Sequence, residues 1–455
     1  MRSRLPKVLH PISGRPMRAY VVDAARAATG ERPLVVYSPA TEAICEVFGA
    51  EADFALQDEP RGTGDAVRAA LEALPDGVDE IVVLQGDTPL VDTDAISETL
   101  ARLRDSGAPM ALAPMHVDEP SGYGRLVAQD GFAERIVEEK DAAEDERRIQ
   151  LVNAGLYAFR TDWLREAVTR LTPSPASGEL YLTQLVEIAH AEGRPAAVVS
   201  QDEPFEEWIL GGVNDRADMQ QVTFHVQAAI QERLMLDGVT IQDSATTLID
   251  STVEIAPDVT IEPNVVLHGA TRIGRDTVIR AGSQIVDSII GERCTIWASV
   301  VEESVVGNDV RIGPYSHIRP GCEVGDGAEI GNFAEMKKVR LGPRSKQHHF
   351  SYLGDAEVGA DVNIGAGTIT ANFDGRAKHR TTIGDRAFIG SDSILRAPVE
   401  IGEDAVTGAG SVVTRDVPAG KLAVGVPARI RKRRRSAEPH EDATNPDALR
   451  EGAES

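Results

Sequence analysis

The stretch IDSTVEIAPDVTIEPNVVLHGATRIGRDTVIRAGSQI (249–285) places Ile249, Ile255, Ile261, Leu267, Ile273, Ile279 and Ile285 at intervals of six without exception. Helix faces repeat about every 3.6 residues and strand faces about every 2, so neither element produces this pattern. Small or turn-forming residues fill the spaces, as in RIGRDTVIRAGSQI (272–285). A hexapeptide repeat is the signature of a parallel β-helix, in which stacked coils share a core of inward aliphatic side chains. The alternative, a chance run of Ile and Val in a β-sandwich, is hard to square with seven consecutive matches. A second phase runs Val300, Val306, Ile312, Ile318, Val324, Ile330. A third runs Ile383, Ile389, Leu395, Ile401, with Val406 and Val412 one residue out of step. The repeat breaks at 331–355 and again at 370–382, stretches rich in polar and basic residues. Insertions in a solenoid map to loops on one face, often the binding face.

Before residue 238 the texture differs. RPLVVYS (32–38) and EIVVLQGD (80–87) read as short strands, and GDAVRAALEAL (64–74) and DAISETLARLRD (94–105) as helices. Alternation of this kind predicts a parallel sheet with crossover helices. In 216–238, Met219, Val222, Val226, Ile230 and Leu234 share one helical face and Gly238 marks the stop, which predicts a connecting helix. The expected domains are therefore 1–215, a linker helix 216–237, a β-helix 238–428, and a basic run followed by a disordered acidic tail, 429–455.

Composition sets outer limits. The chain has 455 residues and a formal net charge of −25, which argues against bulk binding of nucleic acid or anionic membrane, although local basic clusters could still hold phosphates and the basic run RIRKRRR (429–435) leaves nucleic acid as a disfavoured alternative. No apolar run approaches the ~20 residues of a bilayer span, and the first residues lack an apolar signal segment. Three widely spaced cysteines make no disulfide framework or metal-ligand pattern. A cytoplasmic protein is expected.

Three N-terminal segments can carry chemistry. LPKVLHPISGRPM (5–17) offers Lys7. QDEPRGTGDAV (57–67) pairs a Gly-Thr-Gly turn with a helix start, where free N–H groups can hold a base or phosphate; a plain strand-to-helix turn is equally compatible. LQGDTPL (84–90) sets Asp87 at the carboxyl end of a strand, the usual ligand crevice of an open α/β sheet, and a carboxylate there suits Mg²⁺ shared with substrate phosphates.

These pieces, in this order, resemble the sugar-nucleotide pyrophosphorylases. With the hexapeptide half attached, residues 1–428 are similar to the bacterial bifunctional N-acetylglucosamine-1-phosphate uridylyltransferase and glucosamine-1-phosphate N-acetyltransferase family. The resemblance is carried by LPKVLH, QGDTPL, GYGR (122–125), RPG (319–321), GNFAEMKK (331–338) and YLGDAEVGADVNIGAGTITANFDG (352–375). It implies an α/β, Rossmann-like nucleotidyltransferase domain, a connecting helix, and a left-handed parallel β-helix. It also implies UTP, glucosamine 1-phosphate and N-acetylglucosamine 1-phosphate as substrates, acetyl-CoA as co-substrate, Mg²⁺, and a homotrimer. Lys7 would meet the nucleotide phosphates, and Gln57, Gly62 and Thr63 the uracil. Asp87 and Asn214 would share the Mg²⁺, and Gly124, Glu138 and Asn153 would hold the sugar.

For acetyl transfer, a base must take the amine proton. The resemblance assigns this to His349 rather than its neighbour His348. It gives Arg319, Lys337, Tyr352, Asn363 and Lys378 to the sugar phosphate, and Ala366, Asn372, Phe373, Ser391 and Ala409 to acetyl-CoA. Phe373 stands where a Tyr is common. In VGVPARI (424–430), Gly425 stands near the place of a frequent Arg, a role open to Arg429 or the basic run. The family's loop of the form Leu-Ala-Ala-Gly-x-Gly-Thr-Arg-Met aligns its last residue with Met1, so the strand and phosphate-cradling loop ahead of it are not in the sequence. Two expectations follow: an upstream start, or an acetyltransferase with an inactive N-terminal domain. The sheet itself should show a slot of unpaired backbone and apolar side chains.

Overall fold

The computed structural model describes residues 1–175, 177–200 and 203–432. The end of the basic run and the acidic tail lie outside the described residues. The chain divides into two compact units, Met1–Arg233 with Ile249–Thr252, and Leu234–Leu248 with the chain from Val253 onward.

In the first unit, Leu34–Tyr37 and Asp53–Leu56 form a parallel pair. The main sheet has seven strands and is mixed, which corrects the expectation of a parallel sheet. Glu80–Val83 and Met110–His116 both run antiparallel to the long strand Leu151–Arg160. Arg125–Gln129 and Phe132–Val137 form a hairpin closed by Asp130 and Gly131, whose φ values of 52° and 78° suit the turn that Asp-Gly favours. Among the described residues, Leu34–Tyr37 pairs only with Asp53–Leu56, and Glu80–Val83 only with Leu151–Arg160. Between these two free edges lies a cavity of about 1250 Å³, lined by Val35, Val36, Ile81, Val83 and Val22. The helix Arg216–Leu236 buries Val222, Val226, Ile230 and Leu234 as expected; Met219 is half-buried.

The second unit is a solenoid. One ladder of strand partners runs Val266, Gln284, Val300, His317, Glu335, Tyr352, Ile369, Ile394 and Val412, each hydrogen-bonded in parallel to the next coil. Ile261, Leu267, Ile273, Ile279 and Ile285 fill the core, while Ile255 is only partly buried.

Three details of the repeat differ from expectation. Val301, not Val300, points inward, in register with Ile285. Thr407 and Val413, not Val406 and Val412, are buried, so the interval of six continues unbroken from Ile401. The stretch 331–355 is no insertion. Ala334–Leu341 and Ser351–Val358 pair across coils, with Ala334, Met336, Leu341, Gln347 and Leu353 inward. Ala, Met and Gln in place of Ile and Val hid the repeat there. Near Asn372 the coil does open into a loop, which lengthens the step from Ile369 to Ile394. At one corner, Arg and Asp alternate at left-handed positions, and Arg344 grips Asp361 of the next coil through two bonds of 2.7 and 2.6 Å.

Candidate active sites

In the first unit, Lys7 Nζ donates to Asp87 Oδ2 at 2.5 Å, so the two residues chosen for phosphate and metal meet each other. The Val213 amide donates to the Asp87 carbonyl at 2.9 Å, and Asn214 follows directly. The donor set is one carboxylate and one amide beside a lysine. It fits a hard cation that keeps water and phosphate oxygens for its remaining positions. Gln57 turns inward, its Nε2 donating to Asp65 Oδ2 at 2.9 Å and to the Gly62 carbonyl at 3.2 Å. Gly62, with φ of 113°, leaves no room for a Cβ against the Leu180 backbone, and Thr63 Oγ1 accepts from the Leu182 amide at 3.0 Å. The turn is therefore also a packing element.

Gly124, Glu138 and Asn153 converge. The Asn153 amide donates to the Gly124 carbonyl at 2.8 Å, and a Cβ on Gly124 would stand 3.6 Å from Glu138 Oε2. Asn153 Nδ2 donates to the buried Tyr157 hydroxyl at 2.6 Å, and burial pushes that phenol upward. Thr183 donates to Glu138 at 2.7 Å, a contact the sequence reading missed because nothing local marks it. Burial and the nearby Glu207 carboxylate push Tyr123 of the GYGR segment up to about 12.

In the solenoid, the ladder of the twelve-stranded sheet joins Gln347, Ile364, Ile389, Thr407 and Ala423. Two residues beyond each lie His349, Ala366, Ser391, Ala409 and Gly425. The expected base and three of the expected acetyl-CoA residues thus occupy one corner column, coil above coil. Backbone bonds tie the column together: the Gly367 amide to the Phe350 carbonyl at 2.7 Å, Asp392 to Ala366 at 2.6 Å, and Gly410 to Ser391 at 2.8 Å. His349 is exposed, and among the described residues its ring has no hydrogen-bond partner. His348, by contrast, is engaged by Glu329 at 2.9 Å.

On the neighbouring strands, Arg319 and Lys337 stack in consecutive coils, and the Arg319 amide donates to the Met336 carbonyl at 2.9 Å. Lys378 and then Arg319 repel the Lys337 charge and hold its ammonium below the usual lysine range. Three cations crowded in this way favour an anion between them. Glu335 pairs with Arg319 at 2.9 Å and was missed, although it sits in the quoted GNFAEMKK. Tyr352 pairs in register with Glu335 on this same surface. Asn363 stands apart from Tyr352, on the twelve-stranded sheet in register with Lys346. Phe373 is exposed on the loop that carries Lys378, bridged to it backbone to backbone.

Residues 1–154 match the MobA-like NTP transferase domain, and 303–338 and 380–415 match the bacterial transferase hexapeptide family of six repeats. The chain is 42% identical over 428 residues to the bifunctional protein GlmU of Pelobacter propionicus, covering 93% of this chain and 92% of that one. It is 44% identical to GlmU of Rubrobacter xylanophilus, covering 94% and 91%, and 39% identical to GlmU of Shouchella clausii, covering 95% of each. With identity at this level across both halves, the chain belongs to the family of bifunctional GlmU proteins.

Proposed function

We propose that the two units hold separate transferase sites that serve one product. The solenoid acetylates glucosamine 1-phosphate from acetyl-CoA. The N-terminal unit joins the product to UTP, giving UDP-N-acetylglucosamine and pyrophosphate. The observations that support this best are the corner column of His349, Ala366, Ser391 and Ala409 and, on the same solenoid, the cluster of Arg319, Lys337 and Lys378.

In acetyl transfer, the three cations hold the sugar phosphate, Arg319 through its planar fork. His349 accepts a proton from the sugar amine, the nitrogen attacks the thioester carbonyl, and the C–S bond breaks to release coenzyme A. Small residues at Ala366, Ser391 and Ala409 leave the corner open for an extended coenzyme. In uridylyl transfer, an oxygen of N-acetylglucosamine 1-phosphate attacks the α-phosphorus of UTP and pyrophosphate leaves. Gln57, Gly62 and Thr63 hold the base, Gly124, Glu138 and Asn153 orient the sugar, and Lys7 neutralises phosphate charge, so positioning and charge carry the reaction. Asp87 and Asn214 would hold Mg²⁺, which when bound supplies further charge neutralisation on the phosphates. Lys7 would then exchange Asp87 for a phosphate oxygen.

This reading extends to a homotrimer working in the cytoplasm. No described helix is long and apolar enough to cross a membrane. The direct test is thiol release from acetyl-CoA by the full chain, with and without glucosamine 1-phosphate. Release that depends on the amino sugar is expected; none above background would refute the acetyl-transfer reading.

A further inference from the structure

Asp355 lies within the strand Ser351–Val358, yet its φ is 49°, a left-handed backbone that a non-glycine residue adopts at a cost. Its carboxylate accepts a hydrogen bond from Asn372 Nδ2 at 2.5 Å. The carbonyl of Asn372 accepts from the His379 amide at 2.7 Å, so side chain and backbone are both held, and the residue keeps only 8% of its exposure. An ionised carboxylate can only accept. The amide must therefore turn its nitrogen to Asp355 and its Oδ1 the other way. Among the described residues, that oxygen has no hydrogen-bond partner.

The surroundings give the oxygen a purpose. A Cβ on Gly354 would collide with the Tyr352 hydroxyl and the Asn372 amide, so these two polar groups meet over a bare glycine. Gly354 is the register partner of Lys337, the lysine that Lys378 and Arg319 crowd. Lysine and arginine offer donors only. Asn372 Oδ1 adds one oriented acceptor beside these cations.

We propose that Asp355 is a positioning residue, fixing the Asn372 amide so that its Oδ1 receives an N–H group of a substrate in the acetyl-transfer site. The inference rests on the acetyl-transfer reading above. Two substrate groups carry suitable N–H bonds: the amine of the sugar and the amides of the coenzyme's pantetheine arm.

Asp355→Asn tests it at nearly constant volume, and Asn tolerates the left-handed backbone as Asp does. Residue 355 would then carry both a donor and an acceptor, so the Asn372 amide is no longer held one way round and can turn its nitrogen, a donor, into the site. Steady-state kinetics of the full chain should show KM raised about threefold to tenfold, as for a substrate hydrogen bond whose acceptor is no longer fixed. The rise falls on glucosamine 1-phosphate if the amine is the ligand, and on acetyl-CoA if the pantetheine arm is. The exchanged pair, Asp355→Asn with Asn372→Asp, returns an acceptor to the site and should recover most of the loss, with an unchanged melting temperature. Unchanged KM values in Asp355→Asn would overturn the proposal. So would equal damage in the single and exchanged variants accompanied by a lower melting temperature. A wild-type chain without acetyl transfer defeats the underlying reading, whereas an active wild type indifferent to Asp355→Asn defeats this inference alone.

Discussion

Two adjacent histidines separate chemistry from support. His349 projects free at the corner, and His348 is held by Glu329 at 2.9 Å. His349→Ala should lower kcat by about 10²–10⁴ and barely move KM, because a general base acts mainly in the transition state. His348→Ala should leave kcat nearly intact and lower the melting temperature slightly. A larger kcat loss in His348→Ala would reverse the assignment. Lys337 adds a pH signature. Its neighbours Lys378 and Arg319 push its pKa down, and a bound phosphate dianion relieves that repulsion and raises it again. Binding therefore takes up a proton at alkaline pH, and KM for glucosamine 1-phosphate should climb as pH rises through the lowered value. Lys337→Met should have a higher KM throughout and lose that alkaline limb, which a pH series of KM will reveal.

At the scale of the element, the coil depends on which residue faces inward. Thr407 accepts from the Gly390 amide at 2.9 Å and meets Ser393 Oγ at 2.8 Å inside the coil. Thr407→Val would remove both side-chain bonds, while the Gly390 amide keeps the Thr407 carbonyl at 3.1 Å and Ser393 Oγ keeps the Gly390 carbonyl at 2.6 Å, so the cost should be about 0.5–1.5 kcal/mol, whereas Val406→Thr on the outer surface should be close to neutral. Chemical denaturation of the two variants decides between this register and the one that places Val406 inward. The same residue shows what a sequence reveals. The interval of six was legible from Ile249 to Ile285 because nearly every inward position carried an aliphatic chain. It faded at Gln347 and Thr407, where polar side chains take inward places: Thr407 bonds the Gly390 amide, and Gln347 bonds Ser351 through Nε2 while its Oε1 has no partner among the described residues. The mixed sheet was illegible for another reason: strand direction is set by pairing partners far away, as when Glu80–Val83 meets Leu151–Arg160. The Asp130-Gly131 turn was a local signal that had gone unused.

Across the whole molecule, the family resemblance named candidate site residues that spacing alone could not. The pairing of Asp355 with Asn372 was beyond both, since only the stacking of successive coils joins them. The trimer is open to direct measurement. Light scattering at micromolar concentration should give three times the chain mass, and an active monomer would refute it. The central claim is that one chain holds two independent active sites. The measurement that bears on it most directly is assay of both reactions, thiol release and pyrophosphate release, for the wild type, His349→Ala and Asp87→Ala. The wild type should perform both, His349→Ala should lose acetyl transfer alone, and Asp87→Ala should lose Mg²⁺-dependent uridylyl transfer alone. Loss of both activities in either variant, with circular dichroism unchanged, would contradict it.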